Sequence, residues 1–340
     1  MLRSPTGGAS HIIRRSVLPV RQKARIVLGR ASSMAPSMGL RRSTILVGDV
    51  HGHLSKLTSL WGELEQELGP ERFESSTVIF LGDLCDRGPD TSGVFSFLAS
   101  LKDKHPGMLA RHLAGNHDLG FATFLGLIPI KGGAVAEGEF KPRRAEYPLW
   151  QDVSEKQAHV GMHLQGRRWG AFSREGSEDG INAFDSHATF ASYSAAPGDR
   201  EDLLRKMPEE HKKILASLEF VVEVEDVDEH GKKLIAVHAG LEEGECPFDV
   251  QMTALRERRV DQAWIEALQG RANVMNLPKD TPDDVIIASG HHGVLEIGDR
   301  RRIIVDECGG RIERPLAALI LPERKVVRST LSLNVNSSNT

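Results

Sequence analysis

The chain is poor in cysteine and in long apolar runs. Its three cysteines, Cys85, Cys246 and Cys308, include no Cys-x-x-Cys pair. This odd, scattered set argues against a disulfide framework and for a reducing compartment. The longest near-apolar stretch, residues 121–130, is about half of the roughly 20 residues that a transmembrane helix needs. We therefore predict a cytoplasmic protein that does not associate with a membrane.

Acidic residues are absent from the first 42 positions, which carry nine Lys and Arg residues. Because the whole chain has a net charge of −4, the rest of it carries −13. A basic leader of this kind resembles an organellar transit peptide, which would direct the protein to a plastid or mitochondrion. The alternatives are a disordered basic tail or a start at Met34 or Met38. We expect residues 1–42 to be such a leader and residues 331–340 to be a disordered tail.

The remaining composition is that of a globular protein. Charged residues make up 26% of the chain and the apolar set 40%, which excludes wholesale disorder. The body is acidic, and its basic residues do not interleave with aromatic ones. Both features argue against a nucleic-acid partner.

Short β-branched runs alternate with helical periodicity after the leader. The pattern predicts strands at 45–47, 77–81 and 108–113, with helices at 54–68 and 94–101. This is a βαβαβ order in which polar residues follow each strand. In open α/β sheets, ligands bind beyond the carboxyl ends of the strands.

The second half of the chain loses this order and then regains it. Residues 127–200 have no clear period, and we predict that they form an inserted cap over the site. A helical stretch is expected at 201–218, around Pro208. Further strands are predicted at 220–224, 234–237, 285–288, 303–305, 316–321 and 325–328. We predict one α/β domain over residues 43–330.

Five glycine-framed blocks of Asp, Asn and His stand at the predicted strand ends. They are Gly48-Asp49-Val50-His51-Gly52, residues 82–88, Gly115-Asn116-His117-Asp118, Val237-His238-Ala239-Gly240 and Ser289-Gly290-His291-His292-Gly293. Each block alone could be a solvated turn, a helix N-cap or a strand-end histidine. Together they present carboxylate oxygen and imidazole nitrogen, which suit divalent Mn, Fe or Zn.

In this order the blocks resemble the signature of the PPP-type calcineurin-like metallophosphoesterases, over about residues 44–328. Asp118 stands where the eukaryotic Ser/Thr phosphatases have Glu, and their SAPNYC-type loop has no counterpart. Residues 162–169, 235–241 and 289–293 are most similar to the Rhizobiales-like phosphatases of plants and algae, whose characterised plant member is a tyrosine phosphatase. The resemblance implies a four-layer α/β/β/α sandwich of two mixed sheets. It also implies a phosphoprotein phosphatase acting mainly on phosphotyrosine.

The resemblance further implies two divalent metal ions and a bridging, metal-activated hydroxide that attacks phosphorus. The ligands it assigns are Asp49 and His51 at the first ion, Asp83 as a bridge, and Asn116, His238 and His291 at the second. His117 would be the general acid. Asp86 is the expected partner of His117, and Asp118 is a second possibility.

Substrate contacts are assigned on the same basis. Arg87 offers a planar fork for phosphoryl oxygens, and Asn116 and His292 would lie beside the substrate. Arg168 in the predicted cap is a candidate second phosphate-binding arginine, with a surface position as the alternative. Four aromatic residues are candidate pocket walls or core residues: Phe121, Phe124, Trp169 and Tyr193.

Other functions stay open. A Ser/Thr phosphatase or a dinucleoside tetraphosphate hydrolase would carry similar motifs, and a non-catalytic scaffold could keep the fold. The sequence identifies no regulatory subunit.

Overall fold

The computed structural model describes residues 42–127, 169–170, 184–244, 246–259, 265–298 and 301–330. The predicted leader up to residue 41, most of the predicted cap and the predicted tail lie outside these ranges. Arg168 is also outside them. No helix in the described part of the chain is both long enough and apolar enough to cross a bilayer.

The first sheet is built from the β-branched runs that the sequence shows near its start and its end. Its parallel strands are β1 (Thr44–Val47), β2 (Thr77–Phe80) and β3 (Leu109–His112). Strand β9 (Ala317–Leu321) pairs antiparallel with β1, and β10 (Lys325–Arg328) pairs antiparallel with β9. The strand order is β10-β9-β1-β2-β3.

The second sheet has the order β4-β5-β6-β8-β7. Its parallel centre consists of β5 (Lys233–Ala236), β6 (Val285–Ser289) and β8 (Arg302–Val305), with antiparallel edges β4 (Val222–Val224) and β7 (Leu295–Glu296). The sequence did not predict β7, because two residues are too few for an alternating pattern.

The helices follow the predicted positions where periodicity was clear. They are α1 (Leu54–Leu68), α2 (Pro70–Glu74), α3 (Thr91–Lys104), α4 (Asn116–Leu125), α5 (His187–Ser192), α6 (Arg200–Lys206), α7 (Glu209–Ser217), α8 (Phe248–Arg256) and α9 (Glu266–Gln269). Helix α3 begins earlier than predicted because the Asp90 side chain caps it, accepting from the amide of Gly93 at 2.7 Å. The helical stretch predicted around Pro208 is two helices.

Alternate residues of the strands face different layers. Leu46, Ile79 and Leu319 of the first sheet pack in one apolar cluster with Ala236, Ile286 and Ile303 of the second. Their neighbours Ile45 and Val78 face the other way and cluster with helix residues such as Leu57 and Phe95. The two mixed sheets therefore lie face to face with helices outside. This confirms the predicted α/β/β/α sandwich.

The two sheets also meet at their strand ends. The Nδ1–H of His238, just after β5, donates to the carbonyl of Leu81, just after β2, at 2.7 Å. The polar blocks that follow the parallel strands of both sheets are thereby brought to one edge of the sandwich.

Candidate two-metal active site

The first donor group lies in the turn after β1. His51 is fully buried, and its Nδ1–H donates to the carbonyl of Cys85 at 3.0 Å. This hydrogen bond directs Nε2 toward the Oδ2 atom of Asp83, 3.4 Å away, and toward that of Asp49, 4.0 Å away. Two carboxylates and one imidazole nitrogen thus converge on one point.

Asp83 lies between two donor groups. Its Oδ2 faces His51, while its Oδ1 lies 3.4 Å from Nε2 of His238. Burial works against the charge of this carboxylate, but the neighbouring His238, His117 and His51 hold its pKa well below the usual range. Gly115 makes room for it, because a Cβ there would lie 2.1 Å from Oδ1. Asp83 therefore presents one oxygen to each of two imidazole groups.

The second donor group joins residues of both sheets. Nδ1 of His291 lies 3.1 Å from Nε2 of His238, and the two rings meet at an angle of 65°. Asn116, at the start of α4, has a buried Oδ1 that finds no hydrogen-bond partner among the described residues, and the same holds for Nε2 of His291. Buried polar atoms are rarely left unpaired. These unpaired atoms, the facing imidazole nitrogens and Asp83 fit a divalent cation.

Asp49 is held against the other side of this group. Both of its oxygens lie 3.1 Å from the amide nitrogen of His291. Gly290 allows this approach, because a Cβ there would lie 2.1 Å from Oδ1 of Asp49. Burial, together with the charges of Asp306 and Asp83, raises the pKa of Asp49 well above its usual value. A cation would relieve this repulsion.

The donor turns are strained. Five residues of the site other than glycine have φ values from 46° to 70°, in the left-handed region: His51, Asp83, Asp86, Arg87 and His291. Such conformations cost about 1–3 kcal/mol each and cluster at functional sites.

His117 and Asp86 form the predicted pair. Nδ1 of His117 lies 2.8 Å from Oδ2 of Asp86, and both side chains are buried. Asp86 also accepts from Nε1 of Trp169 at 2.7 Å and from the hydroxyl of Thr189 at 2.6 Å. Burial raises the pKa of Asp86, and the hydrogen bonds from Thr189 and Trp169 act in the opposite direction. Three donors on two oxygens fit the ionised carboxylate, which only accepts.

Asp118, the alternative partner of His117, is engaged elsewhere. Its carboxylate accepts from the backbone amides of Leu84 at 2.9 Å, Cys85 at 3.3 Å and Gly115 at 3.1 Å. It therefore ties the turn after β2 to the turn after β3. The observed partner of His117 is Asp86.

Three arginines, Arg87, Arg271 and Arg311, line the cavity beside these groups. The cavity has a volume of about 520 Å³. Arg87 directs Nη1 to within 2.8 Å of His51 Nε2 and Nη2 to within 3.1 Å of His117 Nε2, and Nη1 also donates to the carbonyl of Gly309. Arg271 donates to the carbonyl of His291 at 2.7 Å. No sequence motif pointed to Arg271.

His292 is another residue that the resemblance places beside the substrate. His292 lines the cavity, and its Nε2–H donates to the carbonyl of Ala239 at 2.7 Å. Burial lowers the pKa of His292 to about 4.

The aromatic candidates Phe121, Trp169 and Tyr193 are buried, and the first two stack at 4.5 Å. These three belong to the core, against which Phe124 also packs.

The described part of the predicted cap lies close to Asp86 and His117. Trp169 and, from α5, Thr189 each donate a hydrogen bond to Asp86. The hydroxyl of Ser192, also in α5, accepts from the amide of Ser92 in α3 at 3.2 Å. These residues therefore contribute to the wall that buries Asp86.

The model of the calcineurin-like phosphoesterase family matches residues 43–318, and the chain belongs to this family. Members of this class are metal-dependent phosphoesterases, so divalent ions are implied for the donor groups described above.

Curated relatives are similar to this chain over part of its length. The symmetrical bis(5'-nucleosyl)-tetraphosphatase of Pectobacterium carotovorum is 43% identical over 77 residues, 23% of this chain and 24% of that protein. The asymmetrical bis(5'-nucleosyl)-tetraphosphatase PrpE of Bacillus velezensis is 32% identical over 89 residues, 25% of this chain and 34% of that protein. The matches thus span a quarter to a third of those relatives.

Among solved structures, the cold-active protein-tyrosine phosphatase of a Shewanella psychrophile is similar over 85% of this chain and 80% of its own. The sequence identity is 13% and the TM-score is 0.42.

Proposed function

We propose that this protein is a two-metal phosphatase that hydrolyses phosphomonoesters of proteins, with phosphotyrosine as its main substrate. The observation that carries the proposal is the position of Asp83, whose two oxygens face His51 and His238 at 3.4 Å each. When bound there, two divalent ions would polarise the phosphoryl group and lower the pKa of a water molecule.

The arginines would hold the phosphoryl oxygens. Arg87 has a planar guanidinium that matches two oxygens at once, and its Nη1 is fixed by the carbonyl of Gly309 at 3.1 Å. Arg271 lies on the wall of the same cavity. Their charges would be most useful when negative charge grows on the phosphoryl oxygens during the transition state.

His117 would give a proton to the leaving oxygen. Its Nδ1–H is engaged by Asp86, so Nε2 is the atom that faces Arg87 and the reacting groups. The carboxylate of Asp86 fixes the ring and favours its protonated form. A phenol leaves more readily than an alcohol, because tyrosine has a pKa of about 10.

Phosphotyrosine is supported by the size of the site and by the sequence. A cavity of about 520 Å³ is within the range of small-molecule sites and has room for an aryl phosphate. The likeness of residues 235–241 and 289–293 to the Rhizobiales-like phosphatases favours the same substrate. The partner would then be a phosphoprotein.

Dinucleoside tetraphosphates are the second candidate substrates. Arg311 also lines the cavity, so that three guanidinium groups, with Arg87 and Arg271, face its space. Such a set suits a chain of phosphates better than a single one. The names of the two tetraphosphatases that match the chain point in the same direction.

A substrate panel tests the proposal. Peptides carrying phosphotyrosine, phosphothreonine or phosphoserine, and diadenosine tetraphosphate, are assayed with Mn²⁺ and with chelator. We expect the highest kcat/KM for phosphotyrosine and no turnover with chelator. A higher kcat/KM for diadenosine tetraphosphate would select the second candidate. Turnover that survives complete removal of metal would overturn the proposed centre.

Arg271→Ala is expected to weaken substrate binding more than chemistry. Its side chain lies at the cavity wall and donates to the backbone carbonyl of His291, but it supplies neither a metal-donor atom nor the transferred proton. We expect KM to rise about tenfold, equivalent to about 1.4 kcal/mol, the scale of one charge-assisted hydrogen bond. Steady-state kinetics on a phosphotyrosine peptide measure this, and Arg205→Ala, which changes an exposed arginine of α6, is the matched control. An unchanged KM would exclude Arg271 from substrate binding.

A further inference from the structure

Asp306 is a buried carboxylate of the cavity that the mechanism above does not use. It follows β8 directly, and β8 runs parallel to β6, whose end carries His291. Its residue is 2% exposed, and it contributes to the wall of the cavity that holds Asp83 and His291. Asp306 thus stands at the same sheet edge as the donor groups.

The contacts of Asp306 fix it beside Asp49. One oxygen accepts from the amide of Gly293 at 2.6 Å and the other from the amide of Gly309 at 2.8 Å. Asp49 accepts from the amide of His291, two residues before Gly293, so that the same short segment holds both carboxylates. A carboxylate has about four lone pairs, so these two amide contacts leave it able to bind further.

The local charge favours a cation between these groups. Three buried carboxylates, Asp49, Asp83 and Asp306, interact with one another, and each is at most 2% exposed. Buried like charges are costly unless a positive charge or hydrogen bonds compensate them.

We propose that Asp306 belongs to the binding site of the first metal ion and strengthens its hold beside Asp49, directly or through one water molecule. This deepens the proposed function, on which it rests. Outer carboxylates of this kind change metal affinity by 10- to 100-fold. A role confined to tying the Gly293 and Gly309 turns together would leave that affinity unchanged.

Binding of Mn²⁺ alone separates the two roles. Calorimetric titration of the chelator-stripped full chain is compared for the wild type, Asp306→Asn and Asp280→Asn. Asp280 is a matched control, because its exposed carboxylate also accepts a backbone amide, that of Phe248 at 2.9 Å. We expect Asp306→Asn to weaken one of two Mn²⁺ equivalents by 10- to 100-fold. The control should bind both as the wild type does.

The outcomes are distinct. If Asp306→Asn binds both Mn²⁺ ions with wild-type affinity and its metal-free form melts at a lower temperature, the metal role is overturned. Asp306 would then serve only to hold the Gly293 and Gly309 turns together. No Mn²⁺ binding by the wild type would instead overturn the proposed function. If Asp306→Asn does not fold, wild-type crystals soaked in Mn²⁺ decide the question through anomalous density. An ion farther from Asp306 than one bridging water would reject the proposal.

Discussion

Asp83→Asn is expected to abolish metal binding and nearly all phosphatase activity. The variant removes the charge that both donor groups share and replaces one oxygen by an NH₂ group, which cannot bind a cation. Whichever way the amide points, its nitrogen faces His51 or His238 at about the 3.4 Å now held by oxygen. We expect turnover to fall by about 10³-fold or more. Elemental analysis after dialysis should find that most of the metal is lost.

Asp103→Asn is the control for this variant. Asp103 is an exposed carboxylate in the last turns of α3, away from the cavity. It should keep wild-type metal content and turnover. Full metal loading of Asp83→Asn, combined with wild-type turnover, would remove Asp83 from the centre.

His117→Asn should slow the reaction while the metal stays bound. The side chain is placed to protonate the leaving oxygen, and its Nδ1 is held by Asp86. We expect turnover of phosphothreonine peptides, which have a poor leaving group, to fall by about 10²–10⁴-fold. Aryl phosphates with acidic phenols need little proton transfer and should lose much less.

The slope of turnover against leaving-group pKa is the decisive measurement for His117. It should become steeper in His117→Asn, and Asp86→Asn should shift in the same direction because the ring loses its orienting carboxylate. Equal losses across the series would contradict the general-acid role. His211→Asn, a buried histidine bound to Ser96 and Tyr193, controls for loss of a core imidazole.

The parts of the fold that the sequence predicted are those with strong local patterns. Strands β1 and β2 stand out because their β-branched runs are buried on both faces, and α1 because its apolar residues recur along one face. The edge strand β7 has no such pattern, since it is two residues long. The division at Pro208 follows from its missing amide, which cannot continue a helix.

The site was predictable where donors stand between glycines at strand ends. The pairing of His117 with Asp86 was implied by the family resemblance, which left Asp118 as a second possibility, and the structure places Nδ1 of His117 2.8 Å from Oδ2 of Asp86. Trp169 and Thr189, which donate to Asp86, could not be found, because no spacing links them to it.

Arg271 and Asp306 were missed for different reasons. Arg271 stands in an irregular stretch before a short 3₁₀ turn, and only the tertiary fold brings it to the cavity. Asp306 did carry a signal, since it follows a buried strand directly and precedes two glycines, Gly309 and Gly310. A search for acids after every strand, not only for glycine-framed blocks, would have included it.

The hydrogen bond from His238 to Leu81 has a mechanical consequence for the whole sandwich. It joins the two sheets at the edge where the metal-donor residues meet. Asp83 follows a strand of the first sheet, whereas His238 follows a strand of the second. Cations bound by residues of both sheets would link the two sheets at this edge. Metal binding and the packing of one sheet on the other would then be cooperative. Removal of the ions should therefore loosen the contact between the two sheets and make the loops at this edge accessible to proteases, before the strands of either sheet unfold.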